Sequence, residues 1–326
     1  MESPPITTVQ AACHCGQNAF TLHYPSASLP VSAGICHCDT TRHVTGILFV
    51  AFAPIPDGMS LIADINSPPP SIKEYRASTF ASRYFCATCG AKLAFYHREF
   101  DKWFIAIGLL ERVDGIVKIE WYQWVGDTVD GGILQTRKDD LPRYSQGPDS
   151  GVFITPEAPL TTSLVKSESF RAKCHCGGFQ ATIFRPSAAQ FETEDARAQC
   201  IASSGDRWRA GHCLDKACRT TSGLSFTSWC WFPKSHLQIT HSSTLVGYRS
   251  SEGRLRQFCG NCGATVSFAR EEWWSWRYEI AMGLIEIPKD VGFWSFVSDW
   301  FEFVANGKLF FADQAVDSWL RDSVTA

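Results

Sequence analysis

The sequence predicts a mainly β protein of two tandem zinc-binding domains with few helices. Three observations carry this: the chain is written twice, its apolar segments are strand-length, and its cysteines fall in pairs that recur in both copies. "CHCGQNAFTLHYPSA" (13–27) returns as "CHCGGFQATIFRPSA" (174–188). "RYFCATCGAKLAFYHRE" (83–99) returns as "LRQFCGNCGATVSFAREE" (255–272), and "FIAIGLLE" (104–111) as "EIAMGLIE" (279–286). The order and spacing of the echoes give an internal duplication. A polar stretch rich in Pro, Gly and Ser separates the copies, as a linker does. The expected division is a first domain over 1–136, a linker over 137–168 and a second domain over 169–326.

Within each copy the segments "AFTLHY", "GILFVAF", "KLAFYH", "WFIAIGLL" and "VKIEWYQWV" are short, β-branched or aromatic, and bounded by turn residues. Only "FFADQAVDSWLRDSV" near the C-terminus carries a helical period.

Composition narrows the function. Hydrophobic residues make up 45% of the 326 and charged residues 19%, with a net charge of −3. No Lys/Arg run is interleaved with aromatics, so nucleic acid is not an expected partner. No stretch reaches the roughly 18 apolar residues of a membrane span. The N-terminus has neither a basic start nor an apolar run, which argues against a secretory signal and for a cytoplasmic protein. In that setting paired thiols favour metal over disulfides.

Ten of the fourteen cysteines are paired, and eight of them form two equivalent sets. Cys13 and Cys15, read as strand positions i and i+2, would aim two thiolates one way and His14 the other. The C-x-x-C-G of Cys86, Cys89 and Gly90 is a knuckle whose glycine supplies a positive φ. Together they make a four-sulfur tetrahedron suited to a closed, structural zinc. Cys174, Cys176, Cys259 and Cys262 repeat it. Buried free cysteines and a redox role for the C-x-x-C pairs are the competing readings, but no thioredoxin-like pattern surrounds the pairs.

C-H-C-G, a middle cysteine motif followed by Arg and Gly, and F-C-x-x-C-G in this order resemble the glutathione-dependent formaldehyde-activating enzyme family, also called the CENP-V/GFA domain, once per copy. The resemblance implies two β-tent domains, each built around a four-cysteine structural zinc. It also implies a second zinc held by three middle-motif cysteines, with an open position for a substrate or glutathione sulfur. The chemistry it implies is that of carbon–sulfur lyases.

Both middle motifs depart from the family pattern. In copy one, Cys36-His37-Cys38-Asp39-Thr40-Thr41-Arg42 has Thr41 where the third cysteine is expected. In copy two, Gly211-His212-Cys213 reads as a motif with its first cysteine lost and two residues inserted before Cys218. Cys213 and Cys218 are then candidates for an additional catalytic zinc, with Cys200 or His212 as recruits. His37, Cys38, Asp39, His43, His212, Cys213 and Cys218 are the candidate catalytic residues, as acid–base groups or activated thiols. Nine of the twelve tryptophans lie in copy two, where they either line a pocket for a planar ligand or pack the seam between copies.

Three functions stay open. One is a zinc enzyme related to the family's carbon–sulfur lyases, with a diverged site, a small-molecule substrate and glutathione as a candidate cofactor. Another is a fungal-type secondary-metabolite tailoring enzyme that dehydrates, isomerises or cyclises by metal-free acid–base steps. The last is a non-enzymatic binding module. The two copies are expected to pack on each other.

Overall fold

The computed structural model describes residues 4–136, 139–155, 167–186, 194–213, 215–224, 226–289 and 291–303; the C-terminal segment read as helical, 310–324, lies outside them. Nineteen strands and four α-helices are found among the described residues. None of these helices is long and apolar enough to cross a membrane.

The first half begins with a hairpin of β1 (Ile6–Ala12) and β2 (Ala19–Pro25). It continues with β3 (Val31–Cys36), α1 (Asp39–Thr45), β4 (Val50–Pro54), β5 (Ile72–Arg76), β6 (Ala81–Cys86), β7 (Lys92–His97), β8 (Lys102–Ala106) and β9 (Val117–Gln123). The second half runs through β10 (Ser169–Lys173), β11 (Gln180–Phe184), α2 (Glu194–Cys200), β12 (Trp208–Cys213), α3 (Lys216–Ser222), β13 (Thr227–Pro233) and β14 (Leu237–His241). It ends with β15 (Leu245–Ser251), β16 (Arg254–Cys259), β17 (Thr265–Arg270), β18 (Arg277–Ala281), α4 (Phe293–Trp300) and β19 (Phe301–Phe303).

The duplication seen in sequence is a duplication in topology. The first half's seven-stranded sheet has the order β5-β6-β7-β8-β4-β3-β9, and the second half's has β15-β16-β17-β18-β13-β12-β19. Each strand has a counterpart at the same place, including one parallel pair at the end, β3 with β9 and β12 with β19. Alternation sets the burial. In β1 and β2, Val9, Ala11, Leu22 and Tyr24 face inward while their neighbours are exposed or half-exposed. Residues within 142–153 bond to the first half's edge, with Tyr122 N–H donating to Pro142 O and Tyr144 N–H to Tyr122 O, both at 2.8 Å.

The halves meet through reciprocal contacts. Gly108 N–H donates to Gly223 O and Gly283 N–H to Gly46 O, both at 3.1 Å. Buried Arg42 donates to the carbonyls of Gly283 and Ile285, and buried Arg219 to those of Gly108 and Leu110. Gly46 and Gly223 end α1 and α3 at φ 77° and 75°. A Cβ on either would overlap a carbonyl oxygen of the opposite half, that of Thr265 or of Lys92. Glycine is required at both for its backbone conformation and for space.

Candidate functional site

Cys13 and Cys15 lie just past the end of β1, in a tight turn closed by Gly16 N–H donating to Cys13 O at 3.0 Å, rather than on a strand as their spacing predicts. The turn still converges the thiols. Cys13 and Cys15 sulfurs are 3.5 Å apart, and Cys15 is 3.6 Å from Cys86 across 71 residues. In the second half the matching distances are 3.6 Å for Cys174–Cys176 and 3.5 Å for Cys176–Cys259. All four sulfurs of each set lie within 4.8 Å of one another. Zinc–sulfur bonds of about 2.3 Å in a tetrahedron put sulfurs roughly 3.8 Å apart, so both clusters fit that ion. The knuckles are preformed. Gly90 and Gly263 turn the chain at φ 72° and 81°, and the Cys89 and Cys262 N–H groups donate to Cys86 and Cys259 sulfurs at 3.5 Å.

The middle motifs align by ladder register without any insertion. Cys36 stands opposite Val50 and Cys213 opposite Thr227. Two residues on, Phe52 and Trp229 stand opposite the equivalent Ala106 and Ala281. Cys36 therefore corresponds to Cys213, Cys38 to Asp215 and Thr41 to Cys218. The helix caps agree: Cys38 sulfur accepts the Thr41 N–H at 3.3 Å, as the Asp215 carboxylate accepts the Cys218 N–H. Reading Gly211 as the lost first cysteine slips the strand by two, which preserves the side-chain face and so raises no alarm. The six-residue spacing from first cysteine to arginine, 36 to 42 and 213 to 219, is the signal that fixes the register.

Each half has thus replaced a different motif position. The second keeps three potential ligands, with the Cys213, Asp215 and Cys218 donor atoms mutually within 4.8 Å and Cys213 sulfur 3.1 Å from Asp215 Oδ2. The first keeps Cys36 and Cys38, 3.4 Å apart, with Thr41 Oγ1 at 3.7 and 3.0 Å.

An arginine beside each pair escaped the sequence reading. Arg83 Nη2 donates to Thr41 Oγ1 at 2.7 Å, and Arg256 Nη1 to Cys218 sulfur at 3.4 Å. Both guanidiniums lie over a phenylalanine of the next strand, Phe95 at 4.8 Å and Phe268 at 4.7 Å. Each stands three residues before its knuckle's first cysteine, a repeated position that could have marked them. In the second half, the hydrogen bond with Cys213 and the charge of Arg256 draw Cys218 down, while the same coupling and burial push Cys213 up. In the first, hydrogen bonds from Cys36 and Thr41 bring Cys38 to about 6, and Cys36 is pushed up.

Glutathione-dependent formaldehyde-activating enzymes give a family model that matches residues 8–127 and 199–292. The chain belongs to this family. Comparison with curated proteins gives no match. The two matched segments cover one middle motif each, so the family resemblance extends to both diverged sites.

The remaining candidate residues of this family member are held elsewhere. His37 is buried against Phe49 and Tyr122. Asp39 pairs with Arg42 at 2.7 Å. His43 Nδ1 lies 2.9 Å from the Lys173 carbonyl in the seam between halves, where burial and Arg42 lower its pKa to about 4. His212 alternates with Cys213 along β12, bonds Ser228 at 2.8 Å and stacks on Phe303. Cys200 is fully buried in the second core, and it belongs to no three-ligand cluster among the described residues. Of the tryptophans, Trp208 and Trp300 are core. Trp231 and Trp273 stack on buried Arg277, which pairs with Glu279. His14 reaches across to Tyr248 and His175 to Tyr75, both at 2.7 Å, so the residue between each cysteine pair ties the halves together.

Proposed function

We propose that this chain is a zinc-containing enzyme that makes or breaks a carbon–sulfur bond in a small thiol adduct, and that the second half holds the reacting site. The observation that carries this is the convergence of Cys213, Asp215 and Cys218 beside buried Arg256. Zinc held by these residues would supply a Lewis-acid centre with an open fourth position for a substrate sulfur or oxygen. Cys13, Cys15, Cys86 and Cys89, with Cys174, Cys176, Cys259 and Cys262, would hold two further zincs in closed, structural sites.

The chain's own groups define what the site does. Arg256 offsets the charge of two sulfurs and a carboxylate, and its stack on Phe268 keeps it aimed at Cys218. Asp215 divides its oxygens, one capping α3 and the other facing Cys213, which fixes the carboxylate in place. Family membership supports glutathione as the thiol and an electrophilic carbonyl as its partner. A cytoplasmic setting belongs to the same reading.

Metal analysis with adduct kinetics tests it. The purified chain should carry three zincs, and it should accelerate exchange between formaldehyde, glutathione and their S-hydroxymethyl adduct. Cys218→Ser should leave two zincs and remove the acceleration. Unchanged turnover in Cys218→Ser and Asp215→Ala would move the reaction elsewhere.

A further inference from the structure

The first half presents an unresolved charge balance. Arg83 runs between Phe52 and Phe95, at 5.3 and 4.8 Å from their ring centres, and no carboxylate pairs with it among the described residues. A guanidinium enclosed in this way requires a nearby anion. The groups next to it are Thr41, bonded to it directly, and the sulfurs of Cys36 and Cys38 behind Thr41. No third Cys, His, Asp or Glu atom completes a ligand set with those sulfurs among the described residues. The compensating anion is then a thiolate. Cys38 is the better placed, because its sulfur accepts the Thr41 N–H at 3.3 Å and lies 3.0 Å from the Thr41 hydroxyl that Arg83 polarises. As residues, Cys36 and Cys38 keep some exposure, unlike the buried Cys86 and Cys89 of the knuckle.

We infer that Cys36 and Cys38 form a metal-free exchange dithiol, a second active site that reduces small-molecule disulfides. The Cys38 thiolate attacks one sulfur of the disulfide and expels the other half as a thiolate. A mixed disulfide forms on Cys38. Cys36, 3.4 Å away, then gives its proton to the departing thiolate, attacks Cys38 sulfur and releases the second half as thiolate. Two electrons pass from the dithiol to the substrate; one disulfide is consumed, one forms in the protein, and one thiol and one thiolate leave, the thiolate taking its proton from water. The lowered pKa of Cys38 and the raised one of Cys36 match a nucleophile and a resolving thiol. Thr41 makes this possible by what it lacks. A sulfur at that place would complete a three-thiol metal site, whereas a hydroxyl leaves two thiols and a hydrogen bond to hold one of them ionised.

The zinc-loaded full chain, treated with glutathione disulfide, quenched with an alkylating agent and weighed intact, tests the assignment. Wild type should gain one internal disulfide, mapped to Cys36–Cys38 by peptide digestion. Cys36→Ser should stop at one glutathione adduct, and Cys38→Ser should gain neither. Thr41→Val, which removes the hydroxyl, should slow Cys38 alkylation at neutral pH by about tenfold. Zinc content and melting temperature, unchanged in all three variants, separate a lost reaction from a lost fold. The inference falls if the Cys36→Ser chain carries one zinc fewer than wild type, or if the disulfide maps to other cysteines. Equal alkylation rates in Thr41→Val and wild type would also end it.

Discussion

The two halves share every strand of the large sheet and differ at two motif positions, and those positions separate their chemistry. Where the first has Cys36, Cys38 and Thr41, the second has Cys213, Asp215 and Cys218. The four-cysteine clusters, the arginines beside the middle motifs and the glycines ending α1 and α3 are the same in both. Architecture has been kept twice while each site lost a different sulfur. Exchanging sulfur for a carboxylate retains a third metal ligand, and exchanging it for a hydroxyl does not. The sheet faces follow the same division. Phe104 of the first half corresponds to Glu279 of the second, which pairs with Arg277 between Trp231 and Trp273.

The largest test of the comparison concerns what is shared. Cys86→Ser and Cys259→Ser should each remove one zinc and unfold the half concerned, seen as loss of the cooperative melt. An intact melt in one alone would show that only one cluster is structural. Next come the differing positions. Thr41→Cys should add about one zinc equivalent and silence disulfide exchange, while Asp215→Cys should keep the zinc count and bind the ion more tightly, read by competition with a chelator. Smaller again, Gly46→Ala and Gly223→Ala should each cost about 2–4 kcal/mol, measured by denaturant unfolding, because a Cβ meets a carbonyl of the other half and the φ is left-handed.

The smallest effect concerns His43, whose place in the second half is taken by Thr220. Its folded pKa of about 4 lies below the usual 6.5, mainly through burial and then Arg42. The unfolded chain therefore takes up the proton first as pH falls. The stabilisation is complete above pH 6.5 and is lost between 6.5 and 4. His43→Gln should flatten the fall of melting temperature across that window by several degrees.

Much of this was legible in the sequence. The repeats gave the duplicated β architecture, and the paired thiols gave the two clusters, because four sulfurs at recurring spacings have few other uses. The spacing of Cys13 and Cys15 predicts a strand where the chain makes a tight turn, since residues two apart bring their side chains together in either. Matching the second middle motif by cysteine type sets its register two residues off the one the ladder shows, and Asp215 then loses its place as the counterpart of Cys38. Arg83 and Arg256 carry a mark in the sequence, their shared place three residues before each knuckle, but not its meaning. The middle-motif groups they meet, Thr41 and Cys218, are brought to them by strands distant in sequence.

The crossed arginines have a consequence for descent. Arg42 and Arg219 bind the opposite half as subunits of a two-fold dimer would, yet both sit on one polypeptide. In a dimer of identical chains every substitution is written twice, and a change that spoils a site spoils both. Here each site can change without the same change appearing in its sibling, which is how one molecule comes to hold two unlike middle motifs inside a symmetric frame.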